Sequence, residues 1–190
     1  MRLFIAVDLS SEVTTHARKV IERLQATEAR ARWVDVRQMH LTLSFLGDVD
    51  EMEMPAICKA LDEVGDDCEP FDLEVGGVGA FPSADNARTL WLGILRGEEE
   101  LCVLHQRLDD RLRELGYPGE ERRYKPHLTI GRVRENPPEL LDALCAELAK
   151  LGDLHAGVAD VCELVLYQSK PGREGPTYEV LHSAELKGKA

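Results

Sequence analysis

One short sequence pattern occurs twice and constrains the fold of this chain more than any other feature. His40-Leu-Thr-Leu43 recurs as His127-Leu-Thr-Ile130, with the two histidines 87 positions apart. Random placement at this composition would give only about 0.2 His-x-Thr matches. Alternate residues of a β-strand share a face, so each His should point the same way as its Thr. The repeat therefore predicts two equivalent strands that can present both His-Thr pairs to one cleft.

Hydrophobic periodicity predicts that strands and helices interleave along the rest of the chain. Short turns join several neighbouring strands, which favours an α+β fold with largely antiparallel sheets over one parallel sheet. The glycines at 76, 77 and 79 should bend the third strand, and a soft boundary is expected near Arg96–Glu98, between two halves of similar element order. The predicted strands cover residues 2–8, 40–46, 71–75, 89–95, 127–131, 161–168 and 177–186, and the predicted helices cover residues 10–24, 51–64, 98–115 and 137–151.

The net charge of −12 argues against a protein that binds long nucleic acids by bulk electrostatics. It is compatible with an enzyme that acts on one nucleotide or one RNA end, because a local basic patch would suffice. Each member of the patch, taken alone, is interpreted as a solvated surface charge. The basic residues around His127 are Arg122, Arg123, Lys125, Arg132 and Arg134.

Several classes of protein are disfavoured by what the sequence contains. No apolar run approaches the roughly 18 residues of a membrane span. The apolar opening, Met1 to Asp8, is too short for a signal peptide and predicts a buried strand, so we expect a cytoplasmic protein without a membrane partner. The five cysteines include no Cys-x-x-Cys pair, which disfavours both a disulfide framework and a structural zinc site.

The paired motifs have the chemistry needed to open a cyclic phosphodiester. Histidine titrates near pH 6.5, so one ring can be neutral and act as general base while the other is protonated and acts as general acid. The threonine hydroxyls can donate hydrogen bonds to phosphate oxygens. A zinc site on His40 and His127 lacks a third ligand with recognisable spacing. The histidines without this context, His16, His105, His155 and His182, are interpreted as core or surface residues.

Several segments in addition to the two motifs resemble the RNA 2′,3′-cyclic phosphodiesterases, historically called 2′-5′ RNA ligases, of the 2H phosphoesterase superfamily. They include Arg2-Leu-Phe-Ile-Ala-Val-Asp-Leu9, His40-Leu-Thr-Leu-Ser-Phe-Leu-Gly47, Leu90-Trp-Leu-Gly93, Pro126-His-Leu-Thr-Ile-Gly-Arg132 and Gly175-Pro-Thr-Tyr178. The resemblance implies a single domain over residues 1–190. It further implies a bilobal fold of two intertwined, pseudo-symmetric lobes, each with one motif strand, around a central cleft.

The same resemblance implies an activity and a set of site residues. It implies hydrolysis of terminal RNA 2′,3′-cyclic phosphates to 2′-phosphomonoesters without a metal or another cofactor. His40 would be the general acid (proton donor) and His127 the general base (proton acceptor); the residues alone leave that order open. Thr42 and Thr129 would hold the phosphate, and Arg132 would bind the substrate or support the site.

Two aromatic or charged residues near the motifs have an ambiguous orientation. Arg132 lies five residues after His127 and is nominally on the opposite face, so a site role requires the strand to end or bulge at Gly131. Phe45 lies five residues after His40 and could stack on a base, but its sequence context favours a core position. Core positions are likewise expected for Trp33 and Trp91.

Other functions remain open at this level. The same groups could serve 2′-5′ ligation as the main reaction, because acid and base exchange roles in the reverse direction. A non-catalytic nucleotide- or RNA-binding module would not need an acid–base pair, and an interaction protein would contain the motifs by chance. No oligomerisation signal is present, so we expect a monomer. The natural RNA and its base preference are not encoded in any recognisable pattern.

Overall fold

The computed structural model describes residues 1–119, 123–172 and 175–188. Nine β-strands and four α-helices lie within these ranges. They are β1 Arg2–Val7, α1 Ser11–Gln25, β2 Ala31–Trp33, β3 Leu41–Asp48, α2 Met54–Asp67, β4 Phe71–Phe81, β5 Thr89–Arg96, α3 Glu98–Glu114, β6 Leu128–Val133, α4 Pro138–Lys150, β7 His155–Val161, β8 Glu163–Lys170 and β9 Thr177–Glu185.

The strands form two antiparallel sheets, and each motif strand lies in a different sheet. One sheet has the order β3-β1-β8-β9 and the other has the order β2-β6-β5-β4-β7. The predicted α+β class with antiparallel sheets is therefore confirmed. The expected boundary near Arg96–Glu98 is wrong as a division between the sheets, because each sheet combines strands from both sides of that point.

Each sheet buries one face against helices, and the other face is available to a site. In β1, Leu3, Ile5 and Val7 join the shared apolar core, while Phe4 on the opposite face contacts the ring of His40. Leu128 of β6 likewise enters the core. Burial of these aliphatic side chains fixes the face of each strand, because a one-residue slip would turn the whole set toward solvent.

Helix α1 shows how local sequence determines an element that covers this core. The Ser10 hydroxyl accepts a hydrogen bond from the Val13 backbone N–H at 3.2 Å and so caps the first turn. The apolar side chains predicted to share one stripe are all buried. They are Val13, Ala17, Val20, Ile21 and Leu24.

Two strands and the length of a third differ from the sequence-based expectation. Neither β2 nor β7 was predicted. β2 has only three residues, and β7 (His155–Val161) is rich in Ala, Gly and Asp, which are poor strand formers. The glycine-rich stretch after Val75 does not end β4, which continues to Phe81 through register shifts at Glu74/Val75 and Gly76/Val78. The predicted helix from residue 51 begins with a 3-10 turn before α2.

A buried contact connects the two motif strands. The Tyr124 hydroxyl, three residues before His127, donates a hydrogen bond to the Thr42 backbone carbonyl at 3.1 Å. His105 of α3 stacks on the Tyr124 ring with a centroid separation of 4.0 Å, and its Nδ1 lies 3.0 Å from the Leu43 carbonyl oxygen. The segment that leads into β6 is thereby attached to β3.

Candidate active site

The two motif histidines occupy equivalent positions, directly before β3 and β6. His40 Nδ1 lies 2.8 Å from the Gln38 carbonyl oxygen, and His127 Nδ1 lies 2.8 Å from the Lys125 carbonyl oxygen. Because a carbonyl oxygen only accepts hydrogen bonds, each Nδ1 carries a proton. Nε2 is then an acceptor in the neutral ring and a donor in the protonated ring. The same backbone contact therefore fixes the same tautomer in both rings.

His40 lies in an aromatic pocket made by strands β1 and β9. Its ring stacks on Phe4 at a centroid distance of 4.7 Å and meets Tyr178 edge-on at 5.2 Å. Burial lowers the pKa of His40, while the Gln38 carbonyl and the Asp8 carboxylate oppose that shift. The neutral imidazole is therefore favoured in the free protein. A recess of about 270 Å³ opens beside His40 and is also lined by Asp8 and Tyr178.

His127 is surrounded by a second aromatic group, on the other sheet. The Phe81 ring meets it edge-on at 5.1 Å and lies 5.1 Å from the Trp91 ring. The Lys125 ammonium lies over both rings, 5.2 Å from the Phe81 centroid and 5.1 Å from the Trp91 centroid. This cation–π contact holds a positive charge near the imidazole.

The two motif threonines have hydroxyls that are available to a ligand. Thr42 and Thr129 are half-buried on their strands, between fully buried aliphatic neighbours. Within the described residues, neither hydroxyl has a hydrogen-bond partner. Two such donors on rigid strands can bind the oxygens of a phosphate.

Both motif strands contain a β-bulge at the same place. In β3, Ser44 pairs with Ile5 and Thr42 pairs with Ala6, so Leu43 is the extra residue. In β6, Gly131 pairs with Leu90 and Thr129 pairs with Trp91, so Ile130 is the extra residue. One extra residue reverses the alternation of side chains beyond it. The strands accordingly share one burial sequence over their first six residues.

The bulges place the fifth residue after each histidine on the site face. Phe45 is 65% exposed and its ring lies 6.0 Å from Phe4, so the expected core position for Phe45 is wrong. Arg132 is exposed at the equivalent position of β6. The geometric condition that a site role of Arg132 requires, a bulge next to Gly131, is met. Its contact with substrate stays a prediction.

The loop before β9 brings the two sheets together near His40. Gln38 Nε2 donates a hydrogen bond to the Pro176 carbonyl. A Cβ on Gly175, whose φ is +133°, would lie 3.0 Å from the Arg32 guanidinium, so Arg32 of β2 packs against this loop. Burial raises the pKa of Tyr178, and the positive charges of Arg132 and Arg32 counteract that shift. Arg32 and Arg132 of the five-stranded sheet therefore lie near Tyr178, whose ring contacts His40.

Sequence patterns did not identify several aromatic and polar residues that contact the histidines. Tyr167 donates a hydrogen bond to Asp8 at 2.6 Å, and its ring stacks on Phe4. Tyr167, Tyr178 and Phe81 carry no repeated pattern, and only the folded chain brings them to the histidines. Trp91 is half-buried between Phe81 and Lys125 rather than in the core.

The remaining sequence candidates lie elsewhere or serve other contacts. His155 and His182 each place Nε2 2.8 Å from a carboxylate, of Glu74 and Asp62 respectively. Arg122 of the predicted basic patch lies outside the described residues, and its neighbours Arg123, Lys125 and Arg134 are exposed. No three His, Cys, Asp or Glu side chains are grouped as metal ligands within the described ranges.

None of the described helices is both long and apolar enough to cross a membrane.

Similar proteins align with this chain over nearly its whole length. A family model of the 2′-5′ RNA ligase superfamily matches residues 13–173. The RNA 2′,3′-cyclic phosphodiesterase of Thermotoga maritima is 34% identical over 188 residues, which are 99% of this chain and 97% of that protein. The protein of the same name from Methanothermobacter thermautotrophicus is 32% identical over 178 residues, which are 94% of this chain and 95% of that protein.

Solved structures agree with the sequence comparisons. The crystal structure of a Thermus thermophilus protein, 26% identical, covers 100% of both chains with a TM-score of 0.83. E. coli LigT in complex with NADP⁺, 25% identical, covers 97% of this chain and 96% of its own, with a TM-score of 0.72. The predicted fold and family resemblance are confirmed. Because the family match spans most of the chain and includes both His-x-Thr motifs, the chain belongs to the 2′-5′ RNA ligase superfamily.

Proposed function

We propose that this protein hydrolyses RNA 2′,3′-cyclic phosphate ends to 2′-phosphomonoesters, with His40 and His127 as its acid–base pair. The proposal rests on the equivalent hydrogen bonds of the two rings. In each ring Nδ1 contacts a backbone carbonyl, and Nε2 has no partner among the described residues. The relatives in Thermotoga and Methanothermobacter bear the name of this activity and align over nearly the whole chain.

The reaction needs one proton acceptor and one proton donor. The neutral imidazole takes a proton from water as the water oxygen attacks phosphorus. The bond between phosphorus and the ribose 3′ oxygen breaks, and the imidazolium gives its proton to that oxygen. The product is a 2′-phosphomonoester with a free 3′ hydroxyl. Two histidines with opposite protonation suffice, so we propose that the reaction requires no metal.

Each remaining group of the site has a role in this scheme. Thr42 and Thr129 donate hydrogen bonds to the two non-bridging phosphate oxygens, where charge develops in the transition state. Arg132 adds a positive charge on the same face, and Phe45 offers an exposed ring for a nucleobase. The E. coli LigT crystal structure that resembles this chain is a complex with NADP⁺. His40 is the donor and His127 the acceptor, as in the family resemblance.

The proposal is tested with 2′,3′-cyclic nucleotides and with short RNAs that end in a cyclic phosphate. Separate His40→Ala and His127→Ala variants should lower kcat by about 100-fold or more, because each removes one proton-transfer group. His182→Ala is the matched control, since its ring pairs with Asp62 away from the motifs, and should retain wild-type kcat. The product is identified as a 2′- or 3′-phosphate.

Metal dependence and direction are measured in the same assay. Activity should persist in EDTA, and incubation of RNA halves should favour hydrolysis over 2′-5′ joining. Full activity in correctly folded His40→Ala protein would falsify the two-histidine mechanism. Tight nucleotide binding with no turnover of any cyclic substrate would instead support a binding module.

A further inference from the structure

Four arginines form a compact cluster at one edge of the five-stranded sheet. Arg32 of β2 lies opposite Arg132 of β6, and the Arg134 backbone N–H donates to the Arg30 carbonyl at 2.8 Å. Residues two apart on a strand share a face, so the two cross-strand pairs lie side by side. All four side chains are exposed. We call Arg30, Arg32, Arg132 and Arg134 the arginine cluster.

No described carboxylate neutralises the arginine cluster. None of its guanidinium groups forms an ion pair or hydrogen bond with another described residue. Arginines on the helices behave differently, since Arg23 pairs with Glu147 at 2.5 Å and Arg113 pairs with Asp109 at 2.7 Å. Like charges opposite each other on neighbouring strands are destabilising. In a chain of net charge −12, such an arrangement indicates a surface that binds anions.

The β6 bulge connects this cluster to the candidate active site. Beyond Ile130 the alternation is reversed, so Arg132 and Arg134 share the face of His127 and Thr129. Arg134 directly follows β6, roughly 15 Å from Thr129 at the rise of an extended chain. About four stacked nucleotides span that length at 3.4 Å each. Thr129, Arg132 and Arg134 therefore lie in a line that is long enough to follow a short nucleic-acid strand away from the reacting phosphate.

The far end of the cluster opens into a groove of about 700 Å³. Arg30 and Arg134 line it together with Arg88 and Asn86, and Glu135 contributes a carboxylate. Asn136 fixes the backbone here: its Oδ1 accepts from the Arg30 N–H at 2.5 Å, and its Nδ2 donates to the Arg134 carbonyl at 2.7 Å. The backbone of Arg30, just before β2, is thus tied to the backbone of Arg134, just after β6.

We propose that the arginine cluster binds the phosphates of the RNA strand that precedes the cyclic end, so that the preferred substrate is an oligonucleotide rather than a mononucleotide. This inference rests on the proposed function for the identity of the strand's reacting end. The phosphate contacts raise affinity without reading base sequence. The acidic remainder of the surface repels the strand and confines it to this edge.

The test compares a 2′,3′-cyclic mononucleotide with an eight-nucleotide RNA bearing the same end. The double variant Arg30→Gln/Arg134→Gln should lower kcat/KM for the octamer about tenfold at low salt. It should leave kcat/KM for the mononucleotide within about twofold, since neither residue is near the histidines. Loss of two phosphate contacts should also reduce the slope of log Kd against log salt by about 1.4.

Binding is measured separately by fluorescence anisotropy with an octamer that ends in an unreactive 2′-phosphate. Arg96→Gln is the control, because Arg96 is an exposed arginine at the opposite end of β5 from Arg88. Equal octamer affinity and salt slope in the double variant and the wild type would overturn the inference, as would an equal loss in Arg96→Gln. If no cyclic substrate is turned over, the proposed hydrolysis fails while the anisotropy result still decides the arginine cluster.

Discussion

The surroundings of His40 oppose protonation of its imidazole ring. Burial against Phe4 and Tyr178 lowers the pKa of the imidazole, so the ring favours its neutral form in the free protein. A cyclic phosphate carries one negative charge, and an anion next to Nε2 favours the imidazolium. Substrate binding can therefore protonate the residue that the scheme uses as acid.

We expect the pKa of His40 to lie below 6.5 in the free protein and to rise when a 2′-phosphorylated nucleotide binds. The direction follows from the sign of the two effects, since desolvation penalises the charged ring and the phosphate stabilises it. NMR titration of the imidazole Hε1 resonance, assigned with His40→Gln, measures both values. A pKa that stays the same or falls on binding would contradict the acid role of His40.

At the scale of the elements, the bulges determine which side chains reach the site. Period-two alternation correctly pairs His40 with Thr42 and His127 with Thr129, because the first three residues of each motif precede the bulge. It fails for Phe45, which the bulge turns outward. A bulge depends on how a partner strand pairs, and that information is absent from the strand's own sequence.

We expect Phe45→Ala to raise KM for cyclic nucleotides about threefold to tenfold, because the exposed ring offers a stacking surface worth roughly 1 kcal/mol or more per base. The free energy of unfolding should change by less than about 0.5 kcal/mol, since the ring is largely exposed. Val180→Ala, at a similarly exposed apolar position, is the control for both measurements. A large stability loss with unchanged KM would restore the core interpretation of Phe45.

At the scale of the whole molecule, the sheets are interleaved along the chain. The long elements were predictable because their apolar periodicity is strong, as in α1 and in the buried run of β1. Pairing of β8 with β1 and of β7 with β4 joins residues about 80 positions or more apart, which no local pattern encodes. That the chain unfolds as a single domain stays a prediction.

The Tyr124–Thr42 hydrogen bond should contribute to the association of the two motif strands. Tyr124→Phe removes the donor and leaves the Thr42 carbonyl without it, which should lower the free energy of unfolding by about 1–2 kcal/mol in urea titrations. Tyr117→Phe is the matched control, because its hydroxyl bonds to Glu53 at the surface, and it should cost less than about 0.5 kcal/mol. An equal loss of unfolding free energy in the two variants would show that the buried hydrogen bond stabilises the protein no more than the surface one.

Each of the paired bulges shifts the alternation of inward and outward side chains by one residue. If β6 kept Ile130 but paired with β5 without the bulge, its composition would be unchanged, yet every residue beyond Ile130 would exchange faces. Arg132 and Arg134 would then be directed at the apolar core, and Val133 at solvent. The bulge in β6 thus keeps the arginines at the surface, where they can bind an anionic nucleic acid. Without it, charged side chains would face the core and β6 could not fold in its place.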